Sequence, residues 1–282
     1  MRRHRWTTGR LAGQSVLYAV LTVLALVYIL PFLIQVATAF KTDPDAANNP
    51  VSLIPNPFSL AAIDKLLTNS DFPLWFMNSV IITVCVTLGR VLFDSLAGYA
   101  LARLHFRGRN VIFAGLVAVM AVPNVVLLIP KFLVLNQLSI YDSYIGMIVP
   151  LMGDAAGVFI MKGFFESTPL AVEEAARIDG AGTLRLFWSV VLPMAQPALV
   201  TIVILSFQGS WNELAHFIVA AQNPALTPLT KGVATLASGS LGSGTQYPLK
   251  LAAALIMTLP VAAMFFVFQR RIMTQSEGAV KE

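Results

Sequence analysis

The sequence predicts an all-α, polytopic membrane protein: six transmembrane helices, with a short cytoplasmic helix between the fourth and fifth. Three observations predict it. First, 57% of the 282 residues are hydrophobic and only 12% are charged, with a mean hydropathy of +0.75, whereas soluble domains carry about a quarter charged residues. Second, six apolar stretches each approach or exceed the roughly 20 residues needed to cross a hydrocarbon core about 30 Å thick. Third, one polar interval, Glu173-Glu174-Ala175-Ala176-Arg177-Ile178-Asp179-Gly180, stands between two such stretches. In lipid a segment must satisfy its own backbone groups, so the spans are expected as helices.

The elements follow in order. Residues 1–15 form a basic N-terminal tail containing Arg2, Arg3, Arg5 and Arg10. The apolar run from Val16 to Phe40 resembles a signal peptide, and Ala37-Thr38-Ala39 offers a small-residue cleavage site. Signal-peptide cores are usually only about 7–15 residues, however, so an uncleaved first helix is the better reading. The remaining spans are Leu74–Leu101, Val111–Val134, Ile140–Phe165, Gln196–Ala221 and Leu249–Phe268. Together residues 16–268 make one six-helix membrane domain, with a polar segment at 168–193 and a cytoplasmic tail at 269–282. Pro31, Pro123, Pro130, Pro150 and Pro260 interrupt the runs and are expected to kink them.

With the N-terminus inside, thirteen Lys and Arg residues fall on the cytoplasmic side and five outside, namely Lys41, Lys65, Lys131, Lys231 and Lys250. The positive-inside rule then places both termini and the Glu173 interval in the cytoplasm. Two outer loops, Lys41–Pro73 and Gln222–Pro248, are rich in Pro, Asn, Ser and Gly and are long enough to receive an external protein.

Several function classes are excluded. The single Cys85 permits no intrachain disulfide or cysteine metal site, and His4, His105 and His216 are too scattered for a metal or a catalytic triad. No cofactor is implied, and no basic-aromatic surface suited to nucleic acid is present. The Gly239–Thr245 stretch resembles a phosphate loop superficially but lacks the Gly-Lys-Ser/Thr ending, so it reads as a flexible linker. With no Walker lysine anywhere, ATP is not expected to bind this chain.

In the polar interval, Thr168 and Pro169 suit a helix start and Gly180 a helix end, predicting a helix over Leu170–Asp179. A second helical piece is expected from about Thr183 to just before Pro193. Spacings of three and four gather Leu170, Glu174, Ala175 and Ile178 on one side. There the small alanines allow close approach, and Glu173, Glu174 and Asp179 at the rim offer carboxylates to arginines of a partner. The alternative is an interfacial helix lying on membrane lipid, but that arrangement favours a basic face and this one is mainly acidic.

These residues carry a resemblance. The order Glu174-Ala175-Ala176, three residues, Gly180, nine residues, Val190, one residue, Leu192-Pro193 resembles the cytoplasmic motif of carbohydrate importer permeases of the ATP-binding-cassette superfamily. The branch is the one that includes the maltose importer's smaller permease. Ile129-Pro130, Ile148-Val149-Pro150, Phe164-Phe165, Pro169, Phe187-Trp188 and Trp211-Asn212-Glu213 fit as well, as do Gly98–Arg103 and Gly278–Lys281. The resemblance implies that Glu173, Glu174, Ala175, Ala176, Arg177, Asp179, Gly180, Leu192 and Pro193 couple transport to a separate ATPase. It also implies a second homologous permease, two ATP-binding-cassette ATPases and an extracytoplasmic solute-binding protein as partners. Val190 stands where Ile is usual, Arg271–Glu277 departs from the usual tail, and His216 stands where aromatic or Pro residues are usual.

Ionisable groups at membrane depth face a cavity or a partner. Trp211 offers a stacking platform for a sugar, with Asn212, Glu213 and His216 as polar groups beside it. The equal alternative makes Asn212 and Glu213 interhelical contacts and Trp211 an interfacial anchor. Arg90 and Asp94, four apart, are expected to pair as ions. The rival to an ATP-driven permease is a secondary transporter or channel, which is expected to show internal repeats and helices broken at mid-span around a charged site.

Overall fold

The computed structural model describes residues 8–238 and 246–278; Arg2, Arg3, Arg5, the Gly239–Thr245 stretch and Ala279–Lys281 lie outside them. Every regular element among the described residues is helical. Among the described residues four helical stretches are long and apolar enough to cross a membrane, one of them, Tyr144–Ser167, with an irregular turn inside it, and up to six spans result if each of two bent helix pairs is counted as one.

The chain divides into two compact units. One holds residues 1–70 and 236–258. Its first helix, α1 (Thr8–Ala39), continues through Pro31 and leaves its apolar window wholly unburied. Beyond it Thr42 caps α2 (Asp43–Asn48), and buried Lys41 donates to the Asn49 carbonyl at 2.6 Å. Asp45 accepts from Asn56 N at 2.9 Å and Asn49 Nδ2 at 3.0 Å, and these donors hold its carboxyl below the ordinary value. A third helix, α3 (Ala61–Thr68), follows. The last helix of the chain starts in this unit at Tyr247 and runs unbroken past Pro260 to Gly278, ten residues beyond the expected end.

The other unit, residues 71–235 and 259–282, is built around α4 (Phe72–Arg103), which carries two clusters of buried side chains. Toward its C-terminal end Tyr99 packs with Met161, Phe165, Phe187, Val191 and Ile202. In its N-terminal half Ile82 and Val86 pack with Leu135, Met147, Leu151 and Phe217.

The expected third, fourth and fifth spans are not continuous helices. α5 (Arg109–Met120) and α6 (Leu128–Gln137) meet at 102° around Pro123 and a 3-10 turn at Asn124–Leu127. Proline lacks an N–H and disfavours α geometry in the residue before it, which accounts for a break at that point. α7 (Tyr144–Ile148) passes through a 3-10 turn containing Pro150 and stops, and α8 (Ala155–Ser167) begins afresh under Asp154, whose side chain accepts from Gly157 N.

After Ser167 the chain forms α9 (Leu170–Ile178) and α10 (Thr183–Leu186). It then makes a π turn at Phe187–Val191 and enters α11 (Leu192–Met194). The expected stop before Pro193 does not occur: Leu192 N bonds the Phe187 carbonyl, and this wider turn admits the proline ring without ending the helix. α11 meets α12 (Gln196–Trp211) at 79°, and α12 ends ten residues short of the expected Ala221. α13 (Ala215–Ala220) and α14 (Leu229–Ala237) complete the unit before its share of the last helix.

Glycines let α4 and α8 touch. A Cβ on Gly98 would lie 2.6 Å from Met161 Cβ, and one on Gly157 would overlap the Asp94 carboxylate. Small residues serve membrane helices in this way because lipid provides no hydrophobic drive for their association.

Candidate functional site

The polar interval is anchored by one carboxylate. Glu173 is 2% exposed; its Oε1 lies 2.9 Å from Arg103 Nε, and its Oε2 accepts from Tyr99 OH at 3.2 Å and Arg177 Nη2 at 3.3 Å. Arg103 also donates to the Thr168 carbonyl. The placing of Glu173 at the rim is therefore corrected: the arginines it meets are its own chain's, and it ties α9 to the end of α4. Thr168 does not cap α9 either, because its hydroxyl donates to the Phe164 carbonyl and Pro169 occupies the capping position.

With Glu173 turned inward and Ala176 packed against the buried cluster, the opposite face is open. Glu174, Ala175, Arg177 and Asp179 are exposed, Ile178 is 86% exposed, and beyond the turn Leu184 is 73% exposed. Gly180 makes the turn with φ +82°, and Ala181 N returns to the Ala176 carbonyl at 3.0 Å. This is the left-handed helix ending that glycine favours. Leu192 is half-buried against the cluster and Pro193 is exposed.

The second set of residues separates. Trp211 is 2% exposed, stacked on Phe207 at 5.6 Å and edge-on to Phe76, so it offers no open platform. Asn212 bonds back to the Gln208 carbonyl at 3.0 Å. Glu213 and His216, by contrast, line a cavity of about 400 Å³ together with Arg90, Lys131 and Asp154. The breaks in all three discontinuous spans meet there: the α5–α6 turn, the Pro150–Ala156 stretch and the start of α13 all contribute lining.

Each charged group that lines the cavity has one committed contact, Lys131 excepted; buried Asp94 is not among the lining residues. Glu213 Oε1 accepts His216 N at 2.9 Å, and Asp154 Oδ2 accepts Gly157 N at 3.2 Å. Arg90 Nε donates to the Leu151 carbonyl at 2.7 Å, and Asp94 Oδ1 accepts Asp154 N at 3.0 Å. The expected Arg90–Asp94 ion pair does not form. Both side chains instead satisfy backbone groups that the break between α7 and α8 leaves without helical partners. His216 Nε2 lies 3.2 Å from the Gly146 carbonyl, so that nitrogen carries the proton, and Nδ1 has no partner among the described residues. Sequence reasoning missed Lys131 and Asp154 as site residues, though each is a charge inside an expected span.

Residues 94–273 match the family described as binding-protein-dependent transport system inner membrane component. The chain belongs to this family. Among relatives, the sn-glycerol-3-phosphate transport system permease protein UgpE of Yersinia enterocolitica is 28% identical, over 92% of this chain and 94% of its own. The diacetylchitobiose uptake system permease protein NgcG of Streptomyces coelicolor is 30% identical, with 92% and 85% covered. The polygalacturonan/rhamnogalacturonan transport system permease protein YtcP of Bacillus subtilis is also 30% identical, with 91% and 93% covered. A solved bacterial ABC transporter involved in the import of the acidic polysaccharide alginate superposes with a TM-score of 0.86 at 23% identity, over 95% of this chain and 99% of that one, and shows the shared fold. The chain is a transport permease.

Proposed function

We propose that this permease is one of two homologous membrane subunits of an ATP-driven importer for a carbohydrate or related polyhydroxylated solute. ATP hydrolysis belongs to two separate ATPase subunits, and an extracytoplasmic binding protein delivers the solute. The observation that carries the reading is the two-sided α9. Its buried Glu173 fixes it to α4, while its other face presents Glu174, Ile178 and the neighbouring Leu184 to a partner. A rigidly held helix of this kind passes a partner's movement to a membrane span, because the anchor and the docking face lie on the same two and a half turns. The distribution of basic residues supports a cytoplasmic position for α9 and for both termini.

Broken spans around a charged cavity were the expected mark of a secondary transporter. They occur here, so they do not separate the two mechanisms; membership of the binding-protein-dependent family and the anchored α9 favour the ATP-driven one. The test is uptake by the co-expressed importer in proteoliposomes, with a cross-link from Ile178→Cys to the ATPase in a Cys85→Ala background. ATP-dependent uptake with a specific cross-link is expected. Uptake that proceeds at full rate without ATP defeats the proposal.

A further inference from the structure

The cavity at the three span breaks is lined by two cations and two carboxylates, Arg90 and Lys131 against Asp154 and Glu213, so its fixed charges cancel. The rest of its wall is mainly aliphatic, and no aromatic carbocycle lines it. We propose that this cavity is a solute-binding subsite within this single subunit, built for a neutral, hydroxyl-rich unit such as one sugar ring or a short polyol rather than a phosphate or a uronate. This rests on the permease reading and narrows its solute class.

A volume of about 400 Å³ lies within the range of roughly 300–1,000 Å³ typical of small-molecule sites. The cavity also holds unused hydrogen-bonding capacity. Lys131 has no hydrogen bond or ion pair among the described residues, and the terminal guanidinium nitrogens of Arg90 remain after Nε has served Leu151. Each carboxylate has given one oxygen to a backbone N–H, leaving Glu213 Oε2 and Asp154 Oδ1 as acceptors. Donors and acceptors thus occur together in one space. A hydroxyl uses both, since it donates one proton and accepts through its lone pairs. An anion uses only donors and would face two carboxylates with no net positive charge to offset its desolvation.

The neutral preference is notable because relatives named for glycerol 3-phosphate and for galacturonan handle acidic solutes. Under this proposal the charge balance of the cavity, and not membership of the family, sets which of those chemistries this subunit passes.

The test uses the full chain co-expressed with its partner permease and ATPases and held in lipid nanodiscs. Asn124, exposed and uncharged at the lining, is changed by Asn124→Cys in a Cys85→Ala background, so that a small thiol reagent reports access without altering the charge balance. The probes are matched pairs: methyl galactoside against methyl galactosiduronate, methyl glucoside against methyl glucosiduronate, and glycerol against glycerol 3-phosphate. At about twice its dissociation constant a bound probe leaves about one third of sites free, so labelling should slow roughly threefold. Slowing by a neutral member and not by its acidic counterpart is the expected result. Adding Glu213→Gln, which keeps an acceptor for His216 N but leaves one positive charge in excess, should bring the acidic members into protection. Protection by the acidic members alone, by both members equally, or by none overturns the subsite. ATP-dependent uptake by the unaltered importer is measured in parallel. If that uptake persists while protection fails, the subsite is wrong and the permease reading stands; if uptake is independent of ATP, the permease reading itself fails.

Discussion

Glu173→Ala tests the anchor of α9 most directly. The carboxylate sits against Arg103 at 2.9 Å, with side-chain exposures of 3% and 8%, and also accepts from Tyr99 OH at 3.2 Å. Removing it leaves a buried guanidinium without its counter-charge, which costs about 3–5 kcal/mol in comparable buried pairs. The orphaned Tyr99 hydroxyl adds about 1 kcal/mol. The Arg177 contact spans 3.3 Å with the Arg177 side chain half exposed, and contributes at most about 1 kcal/mol. A loss of roughly 4–6 kcal/mol in this order of magnitude rivals the stability of a whole domain, and it falls on one short helix. The expected outcome is fast hydrogen exchange across 170–178, with ATP hydrolysis that continues while solute uptake per ATP falls. The paired replacement Arg103→Met with Glu173→Leu removes both charges together and should recover most of the protection, because an apolar pair of similar volume avoids the unpaired ion. Unchanged exchange in Glu173→Ala, or no recovery in the double variant, would refute the anchoring argument.

Gly180→Leu should insert into the membrane normally yet lose uptake, because a side chain at φ +82° costs about 1–2 kcal/mol and re-aims the end of α9; uptake at the unaltered rate counts against it. Glu174→Lys should weaken co-purification of the ATPase by about 1–3 kcal/mol if the exposed carboxylate meets an arginine there, read as a lower yield of assembled complex. Gly157→Ala should destabilise the α4–α8 contact by about 1–3 kcal/mol through overpacking on Asp94, and a melting temperature equal to that of the original protein would contradict it. Glu213→Ala should lower the melting temperature modestly, since it deprives His216 N of its acceptor at a helix start worth about 0.5–2 kcal/mol, and should also change solute selectivity; normal selectivity with the stability loss would confine Glu213 to capping.

Much of the fold was legible because it depends on composition averaged over a span. α1, α4 and the last helix follow from windows of hydropathy, and the end of α9 follows from the single Gly180, which marks a left-handed residue. Where the spans break was less legible. A window over Val111–Val134 averages to an apolar span, while the local rule at Pro123 turns the chain through 102°. The face of α9 was half legible. Grouping Leu170, Glu174, Ala175 and Ile178 by helical spacing found the open side, but it could not show that adjacent Glu173, about 100° further round, meets an arginine seventy residues earlier in the chain.

The Arg90–Asp94 pair shows why the rest was hidden. Four residues apart on one helix, the two charges satisfy every local criterion for pairing, and the rule fails because stronger claims come from elsewhere. The stop at Pro150–Asp154 frees a carbonyl at Leu151 and an N–H at Asp154 inside an apolar bundle, where an unsatisfied backbone group costs several kcal/mol. A side-chain ion pair between near neighbours in a helix contributes only about 0.2–0.5 kcal/mol, so the backbone claims prevail. Arg90 and Asp94 are thus better understood as the other half of the broken fourth span than as partners of each other. This also explains how such a break survives in a membrane protein: polar backbone is tolerated at depth where protein groups or a water-filled space receive it. Here α4 supplies the groups, and the same break opens the wall of the cavity in which Glu213, His216 and Lys131 stand. One span that keeps its continuity therefore holds α9 at its C-terminal end through Arg103 and the broken segments through Arg90 and Asp94. On the proposed role of α9, a displacement that moves α4 along its axis is expected to shift the cavity wall as well.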